Sequence, residues 1–477
     1  MSGAGSVLSP MPGSDEDAIE ELNAALVVGL PEEEDEEKVP KHKVISWMSW
    51  DWGSAAVNAV MTTFVFSVYL TSDGLFTDKA TANQYLSWGM TAAGIIIALL
   101  APITGQRADR SGSGLKLLGW FSLGVFLCLS ATFFVTPASA LGPIGALWLG
   151  IALIGLTTVF FEFGSVNYNA MLNDVSSKKN RGLVSGLGWA SGYVGGIVLL
   201  VILLVGFIMP DKGWFGVTSA DGLNVRVAML FAAAWWGIFA LPVLLNPPKR
   251  KHPHHREGKE SLLDSYKFLW RTIKSLWKDA RHTLQFLIAS AIFRDGLAGV
   301  FTFGGVIAGS VFGFKQSEVI VFAVVANIVA GIATVSFGPL DDKWGSKNVM
   351  VLSLILMIIC GLAVFFFYGG GKPIFWIFGL GLTIFVGPVQ SASRTFLANM
   401  IPKGREGEIF GLYQTTGRAV SFMAPALYAA AIAVGSAVSK ADDPTHWGIL
   451  GVIVVIAVGL ALLLPVKPEH SRMVDAA

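Results

Sequence analysis

Twelve apolar stretches of at least 18 residues, bounded by charged or turn-rich segments, run the length of this chain. They lie near 45–70, 83–105, 115–136, 142–170, 181–208, 226–246, 283–311, 317–339, 347–368, 373–400, 407–436 and 446–465. A helix of roughly 20 apolar residues crosses a hydrocarbon core of about 30 Å. Only helices and closed barrels satisfy their own backbone polar groups in lipid, and barrel strands would alternate over segments of ~10 residues. These runs do not alternate. The chain therefore reads as an all-α membrane protein with 12 transmembrane helices, and a composition that is 53% hydrophobic and only 14% charged agrees.

Positive loops resist translocation, so Lys and Arg set the orientation. Arg107, Arg110 and Lys116, then Lys178, Lys179 and Arg181, then Lys343 and Lys347, then Lys403 and Arg405 fall in alternate loops, and the segment from Lys249 to Arg281 is richer still. The opposite loops hold at most one or two basic residues each, such as Lys315 and Lys440. Both termini are expected to be cytoplasmic. Residues 1–43 read as an acidic disordered tail without a signal-peptide core, and 467–477 as a short cytoplasmic tail. Cys128 and Cys360 each sit in an apolar run, where a thiol behaves as a small hydrophobe. Neither a disulfide nor a metal framework is implied, and His252, His254 and His255 stand among cations with no carboxylate at ligand spacing.

GQRADRSG at 105–112 and GPLDDKWG at 338–345 share the pattern Gly-x-x-x-Asp-(Arg/Lys)-x-Gly. Each follows the second stretch of a six-stretch block, which predicts two pseudo-symmetric six-helix bundles at 44–246 and 283–466. Repeated halves with a midplane site between them describe a secondary transporter. The joining segment 247–282 is basic. Within it Leu262, Tyr266, Leu269, Ile273, Trp277 and Ala280 form one stripe, with Lys267, Arg271, Lys274 and Lys278 on other faces, which predicts an amphipathic helix on the inner leaflet.

Six ionisable residues fall inside the spans: Asp51, Glu162, Arg294, Asp295, Arg394 and Arg418. Each costs ~2.5–3.5 kcal/mol near a helix centre on insertion scales, so none is expected to face lipid. Asp51 and Asp295 occupy the first and seventh spans and are expected to face each other across a central cavity, with Arg294 paired to Asp51 or Glu162. Two carboxylates in one cavity would allow one to carry a proton through the cycle. Asp51, Glu162, Arg294, Asp295 and Arg418 are thus the candidate substrate and coupling residues, Arg418 as partner of a substrate carboxylate. Trp52, Asn58, Tyr168, Asn169, Trp189, Tyr193, Gln390, Tyr413 and Gln414 are the candidate cavity lining. Asp109, Arg110, Asp342, Lys343 and Arg394 are the candidate inner gate, latching the halves in one state and releasing them in another. Gly188, Gly192 and Gly196 form a small-residue stripe for close helix packing.

These motifs resemble the major facilitator superfamily, and within it the branch of vacuolar amino-acid effluxers with their bacterial relatives, the UMF group. The resemblance spans about 45–465 and rests on WDWGSA at 50–55, YNAML at 168–172, SGLGWASGYVGG at 185–196, DG at 295–296, QSASR at 390–394 and FGLY at 410–413. It implies the facilitator fold, alternating access by rocking of the halves, and export of a small solute such as an amino acid. Its helix 1 Asp and Trp fall on Asp51 and Trp52, its helix 7 Asp on Asp295 and its helix 10 Arg on Arg394. The chain departs from the branch at Gly53, Ser54 and Arg294, and the extra positive charge favours an anionic or zwitterionic solute.

The sequence therefore predicts a proton-coupled secondary transporter of a small polar solute, in which Asp295→Asn abolishes coupling. The alternative is a non-transporting receptor or scaffold signalling through its tail and basic loop. Neither a phosphate-cradling loop nor a Ser, His, Asp or HExxH constellation is found within the spans, so an enzyme is not expected. No cofactor, metal or nucleic-acid partner is expected either, and the protein reads as a monomer. Short loops and the absence of a cleavable targeting signal suit a bacterial plasma membrane.

Overall fold

The structure is a computed structural model that describes residues 39–72, 74–248, 262–314, 316–401, 405–438 and 444–467. The acidic stretch before residue 39, the histidine-bearing run 249–261, Lys315, Lys403, Lys440 and residues 468–477 lie outside the described residues. Twelve helices among those described are long and apolar enough to cross a membrane. They are α1 (Lys41–Leu70), α2 (Gln84–Ser111), α3 (Gly114–Phe134), α4 (Gly142–Ala170), α5 (Arg181–Ile208), α6 (Ala220–Leu245), α7 (Arg281–Ser310), α8 (Val321–Trp344), α9 (Ser346–Phe366), α10 (Lys372–Met400), α11 (Glu406–Val438) and α12 (Pro444–Leu463).

α1 to α6 form one bundle and α7 to α12 the other. The repeated loop motif acquires a physical meaning position by position. Gly112 and Gly345 adopt φ of 64° and 90°, a left-handed stop that ends α2 and α8 at low steric cost. Gly105 and Gly338 sit where those helices cross the opposite bundle. A Cβ on Gly105 would overlap the Gly407 carbonyl of α11, and one on Gly338 would lie 2.9 Å from the Leu183 Cα of α5. The two acids reach across the same seams. Asp109 Oδ2 accepts the Glu408 N–H of α11 at 2.9 Å, while Asp342 accepts the Gly182 and Leu183 N–H groups of α5 at 2.6 and 2.9 Å. Both acids therefore occupy the first turn of a helix in the other bundle, where unpaired N–H groups and the helix dipole attract an anion.

Small residues set the α1–α5 spacing as the stripe predicted. An added Cβ at Gly192 would meet the Asp51 carbonyl at 3.4 Å and one at Gly195 the Trp52 carbonyl at 2.6 Å. Gly195, rather than Gly196, makes the tighter approach. α11 is broken at Ser421 and Phe422, between helical segments Glu406–Val420 and Met423–Val438. Pro425 has no N–H to continue the ladder back to Ser421, which accounts for the break.

The expected linker helix spans Leu262–Asp279. The side buried against the bundles carries Leu269, Thr272, Leu276 and Ala280, while Tyr266 and Trp277 of the expected stripe are exposed. Its packed face is thus rotated away from Tyr266 and Trp277. Thr272 Oγ1 accepts a hydrogen bond from Arg405 Nη2 at 2.7 Å, and Arg405 also pairs with Glu408 at 2.9 Å, which ties the linker to the start of α11.

Candidate functional site

Two charged clusters lie between the bundles, and Asp295 joins neither. The deeper one is built on Arg394 of α10, which is nearly buried. Its Nε donates to Ser185 Oγ at 3.0 Å and its Nη2 to the Ser185 carbonyl at 2.7 Å. Its Nη1 reaches Asn169 Oδ1 at 3.2 Å and Asp51 Oδ2 at 3.5 Å. Tyr168 completes the shell by donating its hydroxyl to Asp51 Oδ2 at 2.8 Å. One C-terminal guanidinium is thus held by α1, α4 and α5 of the other bundle.

Aromatic rings wall this cluster. Trp47 and Trp50 stack on Tyr168 from separate approaches with centroids 4.5 Å away in each case, and Arg394 lies 5.0 Å from the Trp47 ring and 5.8 Å from Trp189. Desolvated cation–π contact strengthens the grip on a guanidinium. Gly188 leaves the necessary room: a Cβ there would stand 2.9 Å from Arg394 Nη2 and 3.0 Å from Asp51 Oδ2.

The second cluster lies farther along the passage. Arg418, about 18 Å along α11 from Glu406, pairs with Glu162 of α4, and Gln414 Nε2 donates to Glu162 Oε2 at 2.8 Å and to Ser165 Oγ at 2.9 Å. Arg294 of α7 donates to Gln414 Oε1 at 3.0 Å and to the Tyr413 carbonyl at 3.1 Å, with its guanidinium 3.8 Å over the Tyr413 ring. The cluster carries two guanidiniums and one carboxylate. Arg418 keeps a third of its side chain exposed, so the group is wetter than the Arg394 cluster.

The structure does not bring Asp51 and Asp295 together. Asp295 is buried in the C-terminal bundle and its Oδ2 accepts the Ala424 N–H at 2.6 Å, two residues after the break in α11. The half-helix beginning at Met423 has orphan donors at mid-membrane, and this carboxylate satisfies one of them. Arg294, expected against Asp51 or Glu162, meets Glu162 only through Gln414. Asp295→Asn keeps an acceptor oxygen facing Ala424, so its thermal unfolding in detergent is expected to stay near that of the parent. Asp295→Ala orphans a buried donor and should cost about 1–3 kcal/mol, read as a lower midpoint. Equal losses in the two variants would rule out the cap.

The other candidates divide. Tyr168, Asn169, Tyr413 and Gln414 belong to the clusters, and Ser393 Oγ and Tyr413 Oη lie 2.8 Å apart. Trp52 instead packs on Trp235 and Phe239 within its own bundle, and Tyr193 packs against α8 at Gly331. Trp189 borders Arg394, Gln390 is half-buried, and Asn58 is exposed on a π-helical stretch of α1, Ala56–Phe64. Among the gate candidates, Asp109 and Asp342 cross the seams and Lys343 is exposed, while Arg110 stands beside Asp109 at the end of α2. Sequence reading missed Ser165 and Ser185, since a serine in a small-residue stretch carries no signal that separates packing from binding.

The interbundle hydrogen bonds described lie from the basic loop end up to Arg418. Beyond that level Asn58 of α1, Thr302 of α7 and Ser421 of α11 are exposed. Among the described residues, the interbundle contacts close the bundles on each other at the end bearing the repeated motif.

A family model described as vacuole effluxer Atg22 like matches residues 90–476. An uncharacterized MFS-type transporter, YxiO of Bacillus subtilis (strain 168), is 27% identical over 439 residues, covering 90% of this chain and 96% of its own. Autophagy-related protein 22 of Yarrowia lipolytica is 22% identical over 345 residues, 66% of this chain and 56% of the fungal one, so the chain spans about half the length of that relative. Among solved structures, the facilitator transporter FucP in the outward conformation superposes with a TM-score of 0.65 at 13% identity, covering 90% of this chain and 98% of that one. A bacterial homologue of the iron transporter ferroportin in an outward-facing state gives 0.65 at 14% identity, covering 89% and 98%. At these identities the likeness concerns the fold.

Proposed function

This chain belongs to the Atg22-like vacuole effluxer family and is an integral membrane transporter of the major facilitator type, and from that premise we propose that it moves a small zwitterion of amino-acid type. Transport proceeds by alternating access and is driven by protons. The family and fold are those of transporters and not of enzymes. The observation that carries the substrate reading is the half-exposed cluster of Arg294, Gln414, Glu162 and Arg418 above a sealed floor. Two guanidiniums and one carboxylate leave one positive charge in excess. A substrate carboxylate docks on Arg418 and Arg294, whose planar donors suit it, and a substrate ammonium replaces part of their hold on Glu162.

The Arg394 cluster forms the floor. Its contacts with Asp51, Asn169 and Ser185 hold α10 to the other bundle, and must break for the sealed end to open. We take that end as cytoplasmic and the membrane as a bacterial plasma membrane, consistent with the basic loops and with the Bacillus relative. The linker helix lies at the lipid interface of that leaflet.

The test is uptake of a tritiated amino-acid mixture into proteoliposomes holding the full-length protein, with and without an imposed pH gradient. Accumulation above protein-free vesicles that collapses with a protonophore is expected. Uptake that ignores the gradient removes proton coupling, and no uptake or counterflow of any amino acid removes the substrate class.

A further inference from the structure

Asp341, next to the latch residue Asp342, has no part in either charged cluster. It is only 4% exposed, and neither carboxylate oxygen has a charged partner or a hydrogen bond of normal length and angle, the nearest donors being two hydroxyls. It faces the seam between bundles: a Cβ added at Gly182 of α5 would meet Asp341 Cγ and Oδ2 at 2.8 Å. The donors at that helix start are already in use, because Gly182 and Leu183 N–H both point to Asp342. The cations nearby do not pair with Asp341 itself, although Arg181 acts on the adjacent Asp342. Arg181 of α5 binds Ser176 and Asn399, and Lys347 of α9 donates to the Leu464 carbonyl. The hydroxyls of Ser346 on α9 and Thr395 on α10 flank Asp341, and Thr395 donates to the Ser391 carbonyl at 3.1 Å. Asp342 is the one other titratable group against it on α8, and it is an acid.

The first repeat forms the same kind of seam without this acid. The matching position in GQRADRSG is Ala108, also buried, and Asp109 still caps α11. A carboxyl is therefore not required to build such a latch. Shutting α5 on α8 over an ionised Asp341 would bury a second negative charge with no cation paired to it and only two flanking hydroxyls, whereas the neutral acid removes that cost. Opening the seam hydrates the group and releases its proton.

We propose that Asp341 is a proton-binding site of the transporter, occupied while the α5–α8 seam is shut and emptied to the side on which that seam opens. The inference rests on the alternating-access reading, and it places one coupled proton at the gate instead of between Asp51 and Asp295. Proton loss then favours the open seam, so the open-to-shut ratio rises with pH, by up to about tenfold per pH unit for one linked proton.

The experiment uses the full-length protein in lipid nanodiscs, with Cys128 and Cys360 replaced by Ala and spin labels at the exposed positions Lys179 and Asn348, which flank the seam. Distance distributions by double electron–electron resonance are recorded between about pH 5 and pH 8. The parent is expected to open progressively as pH rises. Asp341→Asn and Asp341→Ala, the second copying the first repeat, are expected to stay shut with no pH slope. A slope kept in both variants, a parent without any slope, or variants that open at every pH would overturn the assignment. No solute flux enters this measurement, so an error about the transported molecule leaves its outcome readable.

Discussion

Arg394→Ala is expected to lose about 3–5 kcal/mol of stability, seen as a large drop in the detergent unfolding midpoint, and to abolish transport. The guanidinium is nearly buried and satisfies Asp51, Asn169 and both oxygens of Ser185. Its removal leaves the Asp51 carboxylate with only the Tyr168 hydroxyl and strips Asn169 and Ser185 of their donor in a largely desolvated region. Arg394→Lys keeps the charge but presents a single ammonium, which does not span three helices, so an intermediate loss is expected. Asp51→Asn in the Arg394→Ala background should recover part of the stability, because the orphaned charge is then gone. Additive losses in that double variant would show that the two residues are not coupled.

Arg418→Ala and Glu162→Gln are the counterpart at the proposed substrate site. A charge-assisted hydrogen bond is worth about 1.5–3 kcal/mol, so each is expected to lower amino-acid uptake efficiency by about 10- to 100-fold. Both residues are partly solvated, and the unfolding midpoint should move much less than for Arg394→Ala. This contrast separates binding from architecture. If Arg418→Ala unfolds as readily as Arg394→Ala while the surviving protein transports normally, the cluster is a structural brace and the substrate assignment fails. Arg294→Ala is expected to act more mildly, since its guanidinium touches Glu162 only through Gln414.

Much of this arrangement was legible before folding. The span positions were readable because hydrocarbon length and backbone satisfaction leave few alternatives, and the expected and observed limits agree within several residues. The six ionisable residues within the spans were readable because lipid penalises each of them. Arg394, read as a gate salt bridge, stands 3.5 Å from Asp51. The partners were not all readable. Repeat symmetry set Asp295 opposite Asp51, but Pro425 breaks α11 and the exposed end of that half-helix claims the Asp295 carboxylate. The residues that the linker helix packs against protein were not readable for a related reason: periodicity gives a helix its faces, and the neighbours decide which of them is covered by the bundles.

Sequence by itself determined the number of spans, the two-fold repetition and the types of charge that had to be sheltered, since all of these follow from transfer energies along a single chain. Tertiary structure alone decided which acid met which base and which seam was shut. Those outcomes depend on the rotation and tilt of helices in opposite bundles, where a shift of one residue, about 100° around the axis, points a side chain to a different partner.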